Sequence, residues 1–111
     1  MDSVLTSIKK MLGIDEEYTH FDIDITIHIN TALMVLNQLG ISLSKNFITD
    51  KTDVWTDLIG SADDIEAVKS YIYFKVRLMF DPPGTSFAIE AIERQLSELT
   101  FRLNIQGEGL T

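Results

Sequence analysis

Between Asp63 and Phe80 the apolar residues fall on two lines instead of one. At about 100° per residue, Ile65, Val68, Ile72, Val76 and Met79 share one line, and Ala67, Tyr71, Phe74 and Leu78 share another about 130° round the helix. Only Glu66, Ser70, Tyr73 and Arg77 form a clearly polar stripe. A helix of this kind must be covered from two directions, by its own chain or by another. The doubling recurs over 22–39, where Ile25, Ile29, Ala32, Leu33 and Leu36 face one way and Ile23, Ile27 and Met34 face almost the other. Over 86–103, Phe101 stands nearly opposite the line Ile89, Ile92, Leu96, Leu99 and Leu103.

The chain has 111 residues, a length for one domain, and such a domain hides only ~65% of its unfolded surface. Two outcomes satisfy the doubled lines. One is a bundle with a thick core. The other leaves the second lines, namely Ile23, Ile27, Met34, Tyr71, Phe74, Leu78 and Phe101, to pack against neighbouring subunits, and this is the expectation carried forward.

Punctuation at Gly13, Gly40, Gly60 and Asp81-Pro82-Pro83-Gly84 divides the chain into helical pieces. The expected fold is all-α: a small bundle of four to five helices over 3–12, 22–39, 53–59, 63–80 and 86–103. Residues 1–103 form the single domain, followed by a flexible tail over 104–111. Ser3, Asp22, Asp63 and Ser86 are the expected N-caps. Residues 21–30 alternate apolar and polar like a strand, but the continuation through Ala32, Leu33, Leu36 and Leu39 is helical; a helix over 22–39 accounts for all of it. Residues 41–51 have no sustained period and read as a loop anchored by Phe47 and Ile48. Glu90 with Arg94, and Glu98 with Arg102, stand at i,i+4 in the favourable order.

Composition excludes several classes of function. Seventeen acidic against nine basic residues give a formal charge of −8, which opposes a grip on nucleic acid. There is no cysteine, hence no thiolate nucleophile, disulfide or thiolate metal site. No stretch reaches the ~20 apolar residues of a membrane helix, and the first residues lack a signal peptide's apolar run, so a soluble, cytoplasmic protein is expected. Asp24 and His28 at i,i+4, with His20 nearby, could touch a divalent ion, but no third ligand stands at motif spacing; the plainer expectation is a solvated Asp–His pair. Asp22-x-Asp24 lacks the glycine and closing glutamate of a calcium loop, and Pro82-Pro83-Gly84-Thr85 offers no lysine to a phosphate. No enzyme activity, cofactor or metal is expected.

Taken in order, several stretches form a pattern. They are Ile8-Lys9-x-x-Leu12-x-Ile14-Asp15, an acidic gap, Asp22 or Asp24 leading into the long helix, and Met34-Val35-Leu36-Asn37-Gln38-Leu39-Gly40. Then come Val68-Lys69-Ser70-Tyr71-Ile72-Tyr73-Phe74-Lys75-Val76-Arg77-Leu78-Met79-Phe80-Asp81-Pro82-Pro83, Glu93-Arg94-Gln95-Leu96 and Phe101-Arg102-Leu103-Asn104. In this order and spacing the chain resembles the head–tail connector (adaptor) proteins of long-tailed phages and prophages, over residues 4 to 106. The alternation of isoleucines over 23–29 departs from that pattern.

The resemblance implies a virion protein of the phage neck, made in the host cytoplasm. Such proteins form a ring, commonly of twelve copies, on the portal, and meet a head-closure (stopper) or tail-completion protein on the far side. It implies that Asn104, Ile105, Gln106, Gly107, Glu108, Gly109, Leu110 and Thr111 dock on the portal. DNA would pass through the ring without specific binding. Some of Asp15, Glu16, Glu17, Asp53, Asp57, Asp63 and Asp64 would then line the channel, where carboxylates repel phosphates at short range; the alternative is that they only keep the protein soluble. A different class of function uses the charge alone: a small acidic binding protein, an inhibitor or DNA mimic acting on a basic partner.

Overall fold

The computed structural model describes residues 3–40, 47–48, 52–59 and 65–107. Among them are five helices: α1 (Val4–Met11), α2 (Asp22–Gln38), α3 (Trp55–Ile59), α4 (Ile65–Phe80) and α5 (Ser86–Gly107). There is no strand among these residues, only an isolated antiparallel bridge between Ser3 and Val54. Among the described residues no helix is long and apolar enough to cross a membrane. The all-α expectation holds, and residues 23–29, which alternate like a strand, are helical.

The helix ends show how short side chains set boundaries. Ser3 caps α1, its Oγ accepting from the Thr6 N–H at 3.0 Å. At the other end, Gly13 takes φ +81°, Ile14 N–H donates to Lys9 O and Gly13 N–H to Lys10 O. This is a Schellman closure, and its left-handed residue is the one that favours glycine. Gly40, at φ +91°, ends α2 in the same region.

Two expected caps move by one residue. Phe21, not Asp22, occupies the N-cap of α2 and caps with no side chain; Asp22 is the first helical residue, its carboxylate drawn to Lys9. At α5 Thr85, not Ser86, is the cap, accepting from Ala88 N–H through Oγ1 and from Ile89 N–H through its carbonyl. Asp63 lies outside the described residues. Helix α5 also runs four residues past Leu103, so 104–107, expected in the tail, are helical. Between Ser86 and Gln106 there is neither proline nor glycine to stop it, and Gly107 is the first residue with a large helix cost. Residues 108–111 lie outside the described residues.

Helix α4 is the centre of the bundle, packed against α2 and α5. Its first line, with Val68, Ile72 and Val76 buried, faces α2, whose Ile25, Ile29, Ala32, Leu33 and Leu36 are buried in the same core. Phe80 closes that seam edge-on to Phe21, with ring centroids 5.2 Å apart. Its second line faces α5, where Leu96 and Leu103 are buried. Tyr71 is 1% exposed and its side chain hydrogen-bonds that of Thr100 on α5.

The short elements are tied down by polar contacts with apolar backing. Trp55 of α3 is buried, and its indole Nε1–H donates to Ser7 Oγ of α1 at 3.0 Å. Val4 N–H donates to Asp53 O at 2.8 Å. Asn30 of α2 exchanges two hydrogen bonds with the backbone of Ile48, at 2.9 and 2.7 Å, holding the buried Ile48 against the bundle. Ile48 therefore anchors as expected, while Phe47 is more than half exposed.

Lys9 is 2% exposed, on the line of Leu5 and Leu12 along α1. Its Nζ lies 2.8 Å from Asp22 Oδ1 and donates to Glu16 O at 2.9 Å. One cation thus fastens α1, the acidic connection and the start of α2. Removing one partner of a buried pair strands the other charge, so Lys9→Ala should lower stability by about 2–4 kcal/mol in urea unfolding, and combining it with Asp22→Asn should cost less than the sum of the two.

Tyr71 gives a pH test. Burial raises its phenol above the ordinary 10.0, and the Thr100 hydrogen bond lowers it in part. A phenol with a raised folded-state pKa keeps its full stabilisation below the unfolded value and loses it as pH climbs through the folded one. Wild type should therefore lose stability from about pH 10 upward. Tyr71→Phe should cost about 1 kcal/mol at neutral pH and flatten that alkaline decline, read from chemical denaturation across pH.

Candidate functional site

Helix α2 turns Ile25, Ile29, Ala32, Leu33 and Leu36 inward, and the same 3.6-residue period turns Ile23, Ile27 and Met34 outward. Ile23 is 76% exposed, and Ile27 and Met34 are each exposed over more than half their surface. Polar atoms along this stripe are engaged within the chain: Asn30 with Ile48, and Thr31 Oγ1 donating to Ile27 O at 3.0 Å. Helix α5 repeats the arrangement. Phe101 is 69% exposed and Phe87 75%, on the side away from Leu96 and Leu103. An open groove beside Phe101 is lined by Leu39, Lys75, Leu78, Glu93, Leu96 and Thr100.

The expected interface residues therefore divide. Ile23, Ile27, Met34 and Phe101 are presented to solvent by the single chain. Tyr71 is not: it belongs to the core, because α5 of the same chain covers the second line of α4. Phe74 and Leu78, on that same line, are partly buried against the core. Phe87 joins the exposed set, and it was legible in the sequence as the residue two α-helical heptads before Phe101.

The acidic residues divide as well. Asp15, Glu16, Glu17 and Asp57 are exposed. Asp15 Oδ1 accepts from Glu17 N–H at 2.9 Å, which shapes the connection after α1. Asp53 is buried, its backbone paired with Val4 at the start of α1, and is not presented to solvent as the others are. Asp63 and Asp64 lie outside the described residues.

Among the described residues no group of three or more His, Asp or Glu is placed to hold a metal ion. Asp24 and His28 do not come within ion-pair distance; the His28 ring lies instead against Phe80, with centroids 6.3 Å apart. The pairs Glu90–Arg94 and Glu98–Arg102 likewise do not close, since exposed side chains gain little by fixing their rotamers. Sequence reasoning missed the Lys9–Asp22 pair, although a lysine four residues after Leu5 and three before Leu12 was the available signal.

Exposure and burial make opposite forecasts for one substitution. Ile27→Asp and Phe101→Asp should each change stability by less than about 1 kcal/mol, whereas Tyr71→Asp, placing a carboxylate in the core, should unfold the chain; circular-dichroism melts read both.

The described surfaces are thus two apolar helix faces and an acidic connection, with no assembled catalytic group among them. No curated protein and no solved structure gives a significant match. The family model described as "Phage connector protein" matches residues 4–109, which spans all five helices. The chain belongs to the phage connector protein family.

Proposed function

We propose that this protein is a head–tail adaptor of the phage neck, a structural part with no catalytic role. In this reading several copies form a ring on the portal and present their far side to a head-closure or tail-completion protein, with DNA passing through. The observation that carries it is the family match over 4–109, nearly the whole chain. The exposed stripes support it: Ile23, Ile27 and Met34 on α2 and Phe87 and Phe101 on α5 form apolar faces that one chain leaves wet. Burying three or four large side chains at ~25 cal/mol per Å² contributes several kcal/mol to association.

Residues 104–111 dock on the portal in this proposal; their described part, 104–107, is the end of α5, past the last described core residue, Leu103. In this proposal some of the exposed Asp15, Glu16, Glu17 and Asp57, and of Asp63 and Asp64 outside the described residues, face the passing DNA and repel its phosphates within the ~8–10 Å that salt permits.

Co-sedimentation with the portal protein of the same phage tests this reading. The full chain should assemble on the portal, and truncation after Leu103 should weaken binding by at least roughly tenfold, about 1.4 kcal/mol. No assembly by either form would refute it.

A further inference from the structure

Two arginines differ from the other cations of the helices. Lys9 is paired with Asp22; Lys69 lies near Glu66 and over the Trp55 ring; Lys75 lies over the Tyr71 ring. Arg77 donates to Asp81 O and to the Tyr73 hydroxyl. Arg94 and Arg102 are exposed and, among the described residues, have no such partner. Arg94 sits seven residues before Phe101, on the same face, with the exposed Glu90 and Glu98 beside it, and Arg102 follows Phe101 in the sequence, about 100° round the helix.

Helix α2 carries no cation that could repel an arginine. No lysine or arginine occurs from residue 11 to residue 44, and the exposed Asp24 lies beside Ile23 at the start of the outer stripe. The stripes agree in length to within about one helical turn: at ~1.5 Å per residue, Ile23 to Met34 spans about 16 Å and Phe87 to Phe101 about 21 Å. With ~200 Å² per ring, the exposed parts of Phe87 and Phe101 amount to roughly 300 Å², over a third of the ~800 Å² that each partner buries in a stable interface.

We propose that the outer stripe of α2 in one copy seats on the outer face of α5 in the next copy, with the two helices antiparallel. Ile23 and Ile27 then pack on Phe101, Met34 packs on Phe87, and Asp24 meets Arg102. Arg94 lays its aliphatic stem along the seam. The faces differ, so the contact is heterologous: every copy offers one of each, and repetition yields a ring or a filament instead of a closed dimer. The pairing rests on the proposed connector function only in taking the second copy as the occupant.

The absence of native cysteine makes the test direct. The full-length double variant Ile23→Cys with Phe101→Cys is oxidised mildly, alone and on the portal, and run on non-reducing gels. The expected result is a reducible ladder of dimers, trimers and larger species, with each single variant remaining monomeric. Arg102→Glu in the double variant should deplete the ladder, and adding Asp24→Arg should restore it. A dimer from either single variant would mean like faces pair, and would overturn the proposal. So would the lack of a ladder in a sample that sediments with the portal, which leaves the connector function standing. A ladder without portal binding would uphold this pairing and remove the connector function.

Discussion

Everything in this fold is arranged around α4, a helix with two apolar lines that must both be kept from water. One line takes α2 and the other takes α5, and the tyrosine in the second line finds a hydroxyl partner on α5. Once α4 is covered on both sides, the flanking helices have used only their inner faces. The surplus of apolar surface moves outward by one layer, from α4 to α2 and α5. In the proposed ring, neighbouring copies would cover this surplus.

The remaining elements are fastened by few but well-placed polar contacts. The buried Lys9 joins three successive segments through one carboxylate and one backbone carbonyl. Such a pair adds little net stability over an apolar substitute, but it punishes any arrangement that leaves the cation alone in the core. It specifies how α1 enters more than how tightly it is held. Trp55 acts similarly for α3, combining a large buried ring with one directional hydrogen bond.

Most of this architecture is legible in the amino-acid order. The 3.6-residue period locates all five helices, glycines at 13 and 40 mark two ends, and the Asp81–Gly84 run separates α4 from α5. Periodicity tells which residues share a face, but not which neighbour covers it. That is why Tyr71 reads as an interface residue and proves to be core, and why Asp53 reads as solvated and proves buried. Caps shifted by one residue for a related reason: Asp22 was recruited by a lysine thirteen positions away, a contact that local pattern does not contain. The extension of α5 to Gly107 follows from the lack of any breaker between Ser86 and Gln106.

The outer stripe of α2 has a thermodynamic consequence. The polar side chains in its middle, Asn30 and Thr31, are already hydrogen-bonded within the chain, so a newcomer finds mostly hydrocarbon to grip. Contacts made on hydrocarbon are entropic near room temperature and carry a negative heat-capacity change. In the proposed pairing, attachment to this face therefore loosens in the cold and tightens on warming and in sulfate, while only its Asp24–Arg102 part weakens with sodium chloride. Chilling is the condition that would weaken the hydrocarbon part of that contact while leaving the charges in place.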